Sequence, residues 1–130
     1  MSDASAPGAG ARLGPILIVE DDAQVRRTLQ WTLEAEGLPV QAASTGRRAV
    51  ELAASERPGL MLLDMGLPDI DGYAVADRVR AVYGDVPIVV VTADGRAAEK
   101  ARRVGARGYL SKPFELDDLV ATVRRFLGAD

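Results

Sequence analysis

The chain has 130 residues, 48% of them apolar, which is enough for one domain with a hydrophobic core of its own. It contains no cysteine and no histidine, so disulfides, thiolate or imidazole metal sites and histidine base catalysis have no residues to work with. The net charge of −3, from 16 basic and 19 acidic side chains, gives no overall pull toward nucleic-acid phosphates or an anionic membrane, so neither direct nucleic-acid binding nor a membrane partner is expected.

Residues 1–13 are built largely from Ala, Gly, Ser and Pro, without a long apolar stretch. That composition predicts a flexible tail and no signal peptide, hence a cytoplasmic protein, with one domain over residues 14–130. Beyond the tail, short apolar runs alternate with stretches of helical period, the pattern of an α/β domain with a parallel sheet. Ile16, Leu17, Ile18 and Val19 form a continuous run, as in a central strand covered on both faces, and it stops at Glu20, Asp21 and Asp22. Val25, Leu29 and Leu33 share one helical face, with Asp22 as the cap and Gly37 at the end. Residues 38–43 read as a second strand, and Pro39, which has no N–H, predicts an edge position. Ser44 and Thr45 offer a capping hydroxyl for a helix through Val50, Leu52 and Ala53.

Leu60, Met61, Leu62 and Leu63 make a third strand ending at Asp64, followed by a turn-rich segment from Gly66 to Gly72. A helix carrying Tyr73, Val75, Ala76 and Val79 comes next. Ile88 to Val91 is the most β-branched run in the chain and leads to Thr92. Residues 96–104 are a polar, alanine-containing helix candidate with few large apolar side chains, so weak docking is expected. Tyr109, Leu110 and Ser111 form a short fifth strand that ends at Lys112 and Pro113. A last amphipathic helix uses Leu116, Leu119, Val120, Val123, Phe126 and Leu127, with Asp117 and Asp118 at its positive end.

Polar groups thus end the strands: Glu20 and Asp21 the first, Asp64 the third and Thr92 the fourth, with Lys112 after the fifth. Ligands of an open parallel sheet bind beyond the carboxyl ends of the strands, so these distant residues are expected to converge. Gathered carboxylates repel one another unless they share a cation, and an all-oxygen site favours magnesium. Asp64 is the natural nucleophile for an acyl phosphate, because phosphoryl transfer demands mainly positioning and charge neutralisation. Lys112, the Thr92 hydroxyl and the Ala93 backbone N–H would hold phosphoryl oxygens. Taken singly each residue has an ordinary reading as a turn acid, a helix cap, a strand-end hydroxyl or a solvated lysine. Their joint order points to chemistry.

Four segments carry a family likeness: Ile-Val-Glu-Asp-Asp from Ile18, Leu-Leu-Asp-Met-Gly-Leu-Pro-Asp-Ile-Asp-Gly from Leu62, Val-Val-Val-Thr-Ala from Val89, and Gly-Tyr-Leu-Ser-Lys-Pro-Phe from Gly108. Over roughly residues 15–127 the chain resembles bacterial response-regulator receiver domains of the stand-alone, chemotaxis-regulator-like kind. The resemblance implies a flavodoxin-like, doubly wound sheet of five parallel strands in the order 2-1-3-4-5, with helices on both faces. It implies a phosphorylation-dependent switch in two-component or phosphorelay signalling, with magnesium as cofactor and Asp64 phosphorylated by a histidine kinase or phosphotransfer protein. By the same likeness Asp21, Asp64 and the backbone carbonyl of Gly66 bind the metal, and Glu20 acts through a water. Lys112 pairs with the phosphoryl group, Lys112–Pro113 is a candidate cis peptide, and Thr92 and Tyr109 form a switch pair. Such a chain is not an enzyme beyond its own phosphorylation and dephosphorylation. With no effector domain in the sequence, output is expected through a downstream protein partner or onward phosphoryl transfer, and homodimerisation on phosphorylation stays open.

Two rivals are a phosphorylation-independent interaction module, which predicts a damaged acidic site, and a magnesium-dependent aspartyl phosphatase. The latter resembles haloacid dehalogenase-like enzymes, which place an acid where this chain has Gly66. Twenty positions separate Thr92 from Lys112, fewer than in familiar family members, which predicts a short or loosely docked fourth helix. Asp94, two residues after Thr92, is placed to hydrogen-bond an attacking water. Trp31 lies off the apolar stripe of its helix and is expected to be partly exposed. Arg102, Arg103 and Arg107 read as a solvated basic cluster.

Overall fold

The structure, a computed structural model, describes residues 14–127; the tail expected over residues 1–13 lies outside them. Strands β1 (Ile16–Val19), β2 (Val40–Ala43), β3 (Leu60–Asp64), β4 (Ile88–Thr92) and β5 (Gly108–Ser111) alternate with helices α1 (Ala23–Ala35), α2 (Gly46–Ser55), α3 (Gly72–Tyr83), α4 (Ala97–Val104) and α5 (Leu116–Phe126). All pairings are parallel, and the sheet runs β2-β1-β3-β4-β5, the doubly wound order expected. A parallel sheet needs a helical crossover between neighbours, and the alternation of elements supplies one each time.

The continuous apolar runs follow from burial on both faces. Leu17, Val19, Met61, Leu63, Ile88 and Val90 pack against α2, α3 and α4 through Ala49, Val75, Val79 and Ala101. Their alternates Ile16, Ile18, Leu60, Leu62, Val89 and Val91 meet Leu29 and Leu33 of α1 and Leu119 and Val123 of α5. With side chains alternating between faces, β1, β3 and β4 have no position left for a polar residue until they reach the carboxyl edge of the sheet.

Three details differ from the sequence expectation. Strand β2 is an edge strand as Pro39 predicted, but it begins at Val40, because the Leu38 N–H closes α1 by donating to the Leu33 carbonyl at 3.2 Å. Leu116, assigned to the apolar face of α5, is exposed at the first turn, while Leu119 and Val123 carry the burial. The arginines do not form one cluster: Arg103 lies over the Tyr73 ring at 5.4 Å, and Arg107 pairs with Asp85 at 2.6 Å. Helix α4 is short, as expected, and its buried residues are Ala97, Ala101 and Val104. Trp31 is 65% exposed.

Candidate functional site

The loop after β1 is held by its own backbone. Glu20 continues the strand, its N–H donating to the Ala43 carbonyl at 3.0 Å, and its side chain is 2% exposed. The Asp22 N–H donates to Glu20 Oε2 at 3.1 Å, and Asp22 Oδ1 caps α1 by accepting the Val25 N–H at 2.9 Å. Arg26, one turn into α1, donates Nη1 to the Glu20 and Asp21 carbonyls at 2.9 and 3.3 Å. Sequence reasoning missed Arg26, which fixes the backbone of the two acids.

Asp64, at the last position of β3, is 8% exposed, and its Oδ1 accepts the Gly66 N–H at 2.9 Å. Glu20, Asp21 and Asp64 each bring a carboxylate oxygen to within 4.8 Å of the others. Lys112 enters this group from the end of β5: its Nζ lies 2.6 Å from Glu20 Oε1 and 3.6 Å from Asp64 Oδ2. The Lys112 N–H donates to the Thr92 carbonyl at 2.9 Å, and the Lys112–Pro113 peptide is cis. The convergence inferred from strand ends is therefore present for Glu20, Asp21, Asp64 and Lys112.

Burial raises the Glu20 pKa, and the nearby Asp64 charge adds to this; the Lys112 hydrogen bond and the Asp22 N–H oppose it without cancelling it. Lys112 is also partly buried, which disfavours its charge, but the Glu20 hydrogen bond and the two carboxylates outweigh this and raise its pKa. One ammonium against three carboxylates leaves the site with an excess of negative charge. The donors are all hard oxygens on rigid backbone, so the residues present fit a small divalent cation such as magnesium.

Thr92 ends β4 and is buried; its hydroxyl donates to Asp94 Oδ1 at 3.3 Å. Asp94 is not left facing solvent alone: Oδ1 also accepts the Arg96 N–H at 2.9 Å, and Oδ2 is ion-paired with Lys100. Lys100 foremost, then the Arg96 N–H, holds the Asp94 pKa below the usual carboxylate value. The register sets Thr92 beside Ser111 and Val90 beside Tyr109, so Thr92 and Tyr109 share the face of the sheet that α4 covers. Tyr109 is 50% exposed. Ala93 and Gly66 are exposed at the same carboxyl edge.

The segment after Asp64 is tied down by residues that the sequence reading passed over. Asp69 accepts the Gly46 and Arg47 N–H groups at the start of α2, both at 2.9 Å, and Asp71 caps α3 through the Ala74 N–H at 2.8 Å. The Arg47 N–H foremost, with that of Gly46, lowers the Asp69 pKa to about 2. Gly46 is required by this closure, since a Cβ there would come within 2.5 Å of the Ile70 side chain. An acid five residues after a strand end, before a second acid and a glycine, is the signal that could have suggested these bonds.

The doubly wound sheet carries buried acids and a lysine at its carboxyl edge, and residues 16–124 match the response regulator receiver domain family. The chain belongs to that family. It is 40% identical over 114 residues to response regulator MprA of Mycolicibacterium vanbaalenii, a match covering 86% of this chain and 49% of that protein. The chain thus spans about half the length of the curated relatives it matches. Among solved structures it is similar to chemotaxis response regulator CheY4 of Vibrio cholerae, with a TM-score of 0.80, 30% identity and coverage of 88% of this chain and 99% of that one. A CheY-like receiver domain protein of Methanospirillum hungatei matches with a TM-score of 0.79 and 28% identity, over 88% and 94% of the two chains. Among the described residues no helix is long and apolar enough to cross a membrane.

Proposed function

We propose that Asp64 accepts a phosphoryl group from a phosphohistidine donor and that the modification switches a protein-interaction surface. The observation that carries this reading is the meeting of Asp64, Glu20, Asp21 and Lys112 from three strand ends on one rigid edge. A carboxylate oxygen of Asp64 attacks phosphorus, the P–N bond of the donor breaks, and its electron pair stays on the imidazole nitrogen, which takes up a proton. These 130 residues hold no histidine, so the phosphohistidine lies outside them, on a histidine kinase or phosphotransfer protein.

Asp21, Asp64 and the Gly66 carbonyl would hold magnesium, with Glu20 acting through a water. When bound, the cation supplies neutralisation of charge on the transferring group. Lys112, already between Glu20 and Asp64, turns its ammonium to a phosphoryl oxygen, and the Thr92 hydroxyl and Ala93 N–H bind others. The half-exposed ring of Tyr109, on the same sheet face as Thr92, then follows the hydroxyl inward and alters the β5 surface. The chain's acidic charge balance supports a protein partner for that surface.

Intact-mass analysis after incubation with acetyl phosphate and magnesium tests the reading. A gain of ~80 Da, lost in Asp64→Asn and in chelator, is expected. Label on the Asp64→Asn variant, or a wild-type chain that neither gains mass nor changes its spectrum with beryllofluoride, would overturn it.

A further inference from the structure

Helix α4 is anchored unlike the three helices before it. Helices α1, α2 and α3 are each capped by the side chain of the residue just before them, Asp22, Thr45 and Asp71. Helix α4 has Arg96 at that position and no side-chain cap there. The carboxylate comes instead from Asp94, two residues upstream, which takes the Arg96 N–H and pairs with Lys100 in the second turn. The buried face of α4 consists of Ala97, Ala101 and Val104, which offer little apolar area, so this polar contact matters more to its first turn than a cap usually does.

The same Asp94 oxygen accepts the Thr92 hydroxyl. A threonine hydroxyl has one proton to donate. It serves Asp94 or a phosphoryl oxygen, not both. We propose that Asp94 is a positioning residue: in the resting chain it keeps the Thr92 hydroxyl engaged, so that a phosphoryl group must compete for it, and through Lys100 it couples the hydroxyl's release to the first turn of α4. This rests on the phosphoryl reading of Asp64. Ionised Asp94, with its other oxygen held by Lys100, is a strong competitor.

Hydrogen exchange and a titration with magnesium and beryllofluoride test this on the whole chain. Without any ligand, Asp94→Ala is expected to speed exchange of the amides over residues 97–101 while leaving those of α3 unchanged. In the titration the same variant should bind beryllofluoride about threefold to tenfold more tightly than wild type, the scale of one modest hydrogen bond removed from the competition. In a Thr92→Ala background the Asp94 substitution should give no tightening. Lys100→Ala should loosen α4 in the same way with a smaller gain in affinity. Should Asp94→Ala fold poorly, Asp94→Asn, which keeps an acceptor oxygen but loses the charge, is expected to fall between it and wild type in both measurements. Unchanged affinity on losing Asp94, or equal tightening without the Thr92 hydroxyl, would overturn the proposal alone. A wild-type chain with no response to magnesium and beryllofluoride would overturn the phosphoryl reading and this proposal with it.

Discussion

Helices α1 and α4 end in the same way and are held in different ways. Each has its C-terminus gripped by an arginine from another helix: Arg124 of α5 reaches the Glu36 carbonyl and carboxylate at 3.3 and 2.8 Å, and Arg80 of α3 reaches the Val104 and Gly105 carbonyls. Beneath these clasps the helices have little in common. Thirteen-residue α1 buries Leu29 and Leu33 in the layer it shares with α5, whereas eight-residue α4 buries two alanines and a valine. Apolar contact on that scale is not readily exchanged for another arrangement, while hydrogen bonds and ion pairs at a helix end can be traded for new partners at little net cost. The difference separates a scaffold side from a side suited to switching.

The largest effect should come from the scaffold side. Leu33 is fully buried between α1 and the sheet, and Leu33→Ala removes its methyl groups and leaves a cavity. The expected loss is about 2–5 kcal/mol of global stability, read from urea denaturation. A loss under about 1 kcal/mol would mean that α1 is not anchored by apolar packing, and the contrast with α4 would fail.

Arg80→Ala should act locally. It removes the donors to the two carbonyls at the end of α4, and Gly105, in the left-handed conformation at φ 73°, would be left to close the helix alone. Opening of the last turn of α4 should become easier by about 1–2 kcal/mol, seen as roughly five- to thirtyfold faster amide exchange there with α1 unaffected. Exchange that rises equally in both helices would mean that α4 does not open as a separate unit.

Acid should expose a smaller contribution from the loop that follows Asp64. Asp69 has its pKa lowered to about 2 by the N–H groups of α2. A lowered folded-state pKa gives stability that is present above the unfolded value of 3.8 and is lost as pH falls from there through about 2. Asp94 is lowered as well, so the readout is the difference between chains: Asp69→Asn should flatten the pH dependence of the melting temperature in that window without abolishing it. Because Asp69 is at the surface, added salt should shrink the difference. Parallel curves for the two chains would remove Asp69 from the bonds that hold this loop.

These contrasts were unevenly legible in the sequence. Strands β1, β3 and β4 announced themselves because burial on both faces leaves only apolar residues, and their polar ends marked the site for the same reason. The poverty of α4 could also be read, since alanines and charges leave no stripe. What pins α4 could not. Asp94 and Lys100 are six residues apart, outside helical spacing, and Arg80 meets the Val104 and Gly105 carbonyls across the α3–α4 layer, so no local pattern links them. The arginines at 102, 103 and 107 looked like one cluster because sequence proximity hides the turn at Gly105 that sends Arg107 toward Asp85. Asp69 was hidden for a similar reason: its partners, the Gly46 and Arg47 N–H groups, lie in another helix.

The smallest effect closes the comparison, because it applies the Arg80 substitution to the other helix. Arg124→Ala removes a clasp on a carbonyl and a carboxylate, where Arg80 holds two carbonyls, and it lies between side chains that are both well exposed. Exposed ion pairs are worth about 0–1 kcal/mol, and here Leu29 and Leu33 already hold the helix whose end is clasped. Global stability should change by less than about 0.5 kcal/mol, and exchange in the last turn of α1 should rise by no more than about twofold. The clasp is redundant where the face beneath it is leucine and necessary where that face is alanine. Equal local responses to losing Arg80 and Arg124 would show instead that a helix end depends on its own terminal bonds whatever lies under it, and α4 would then be short without being suited to switching.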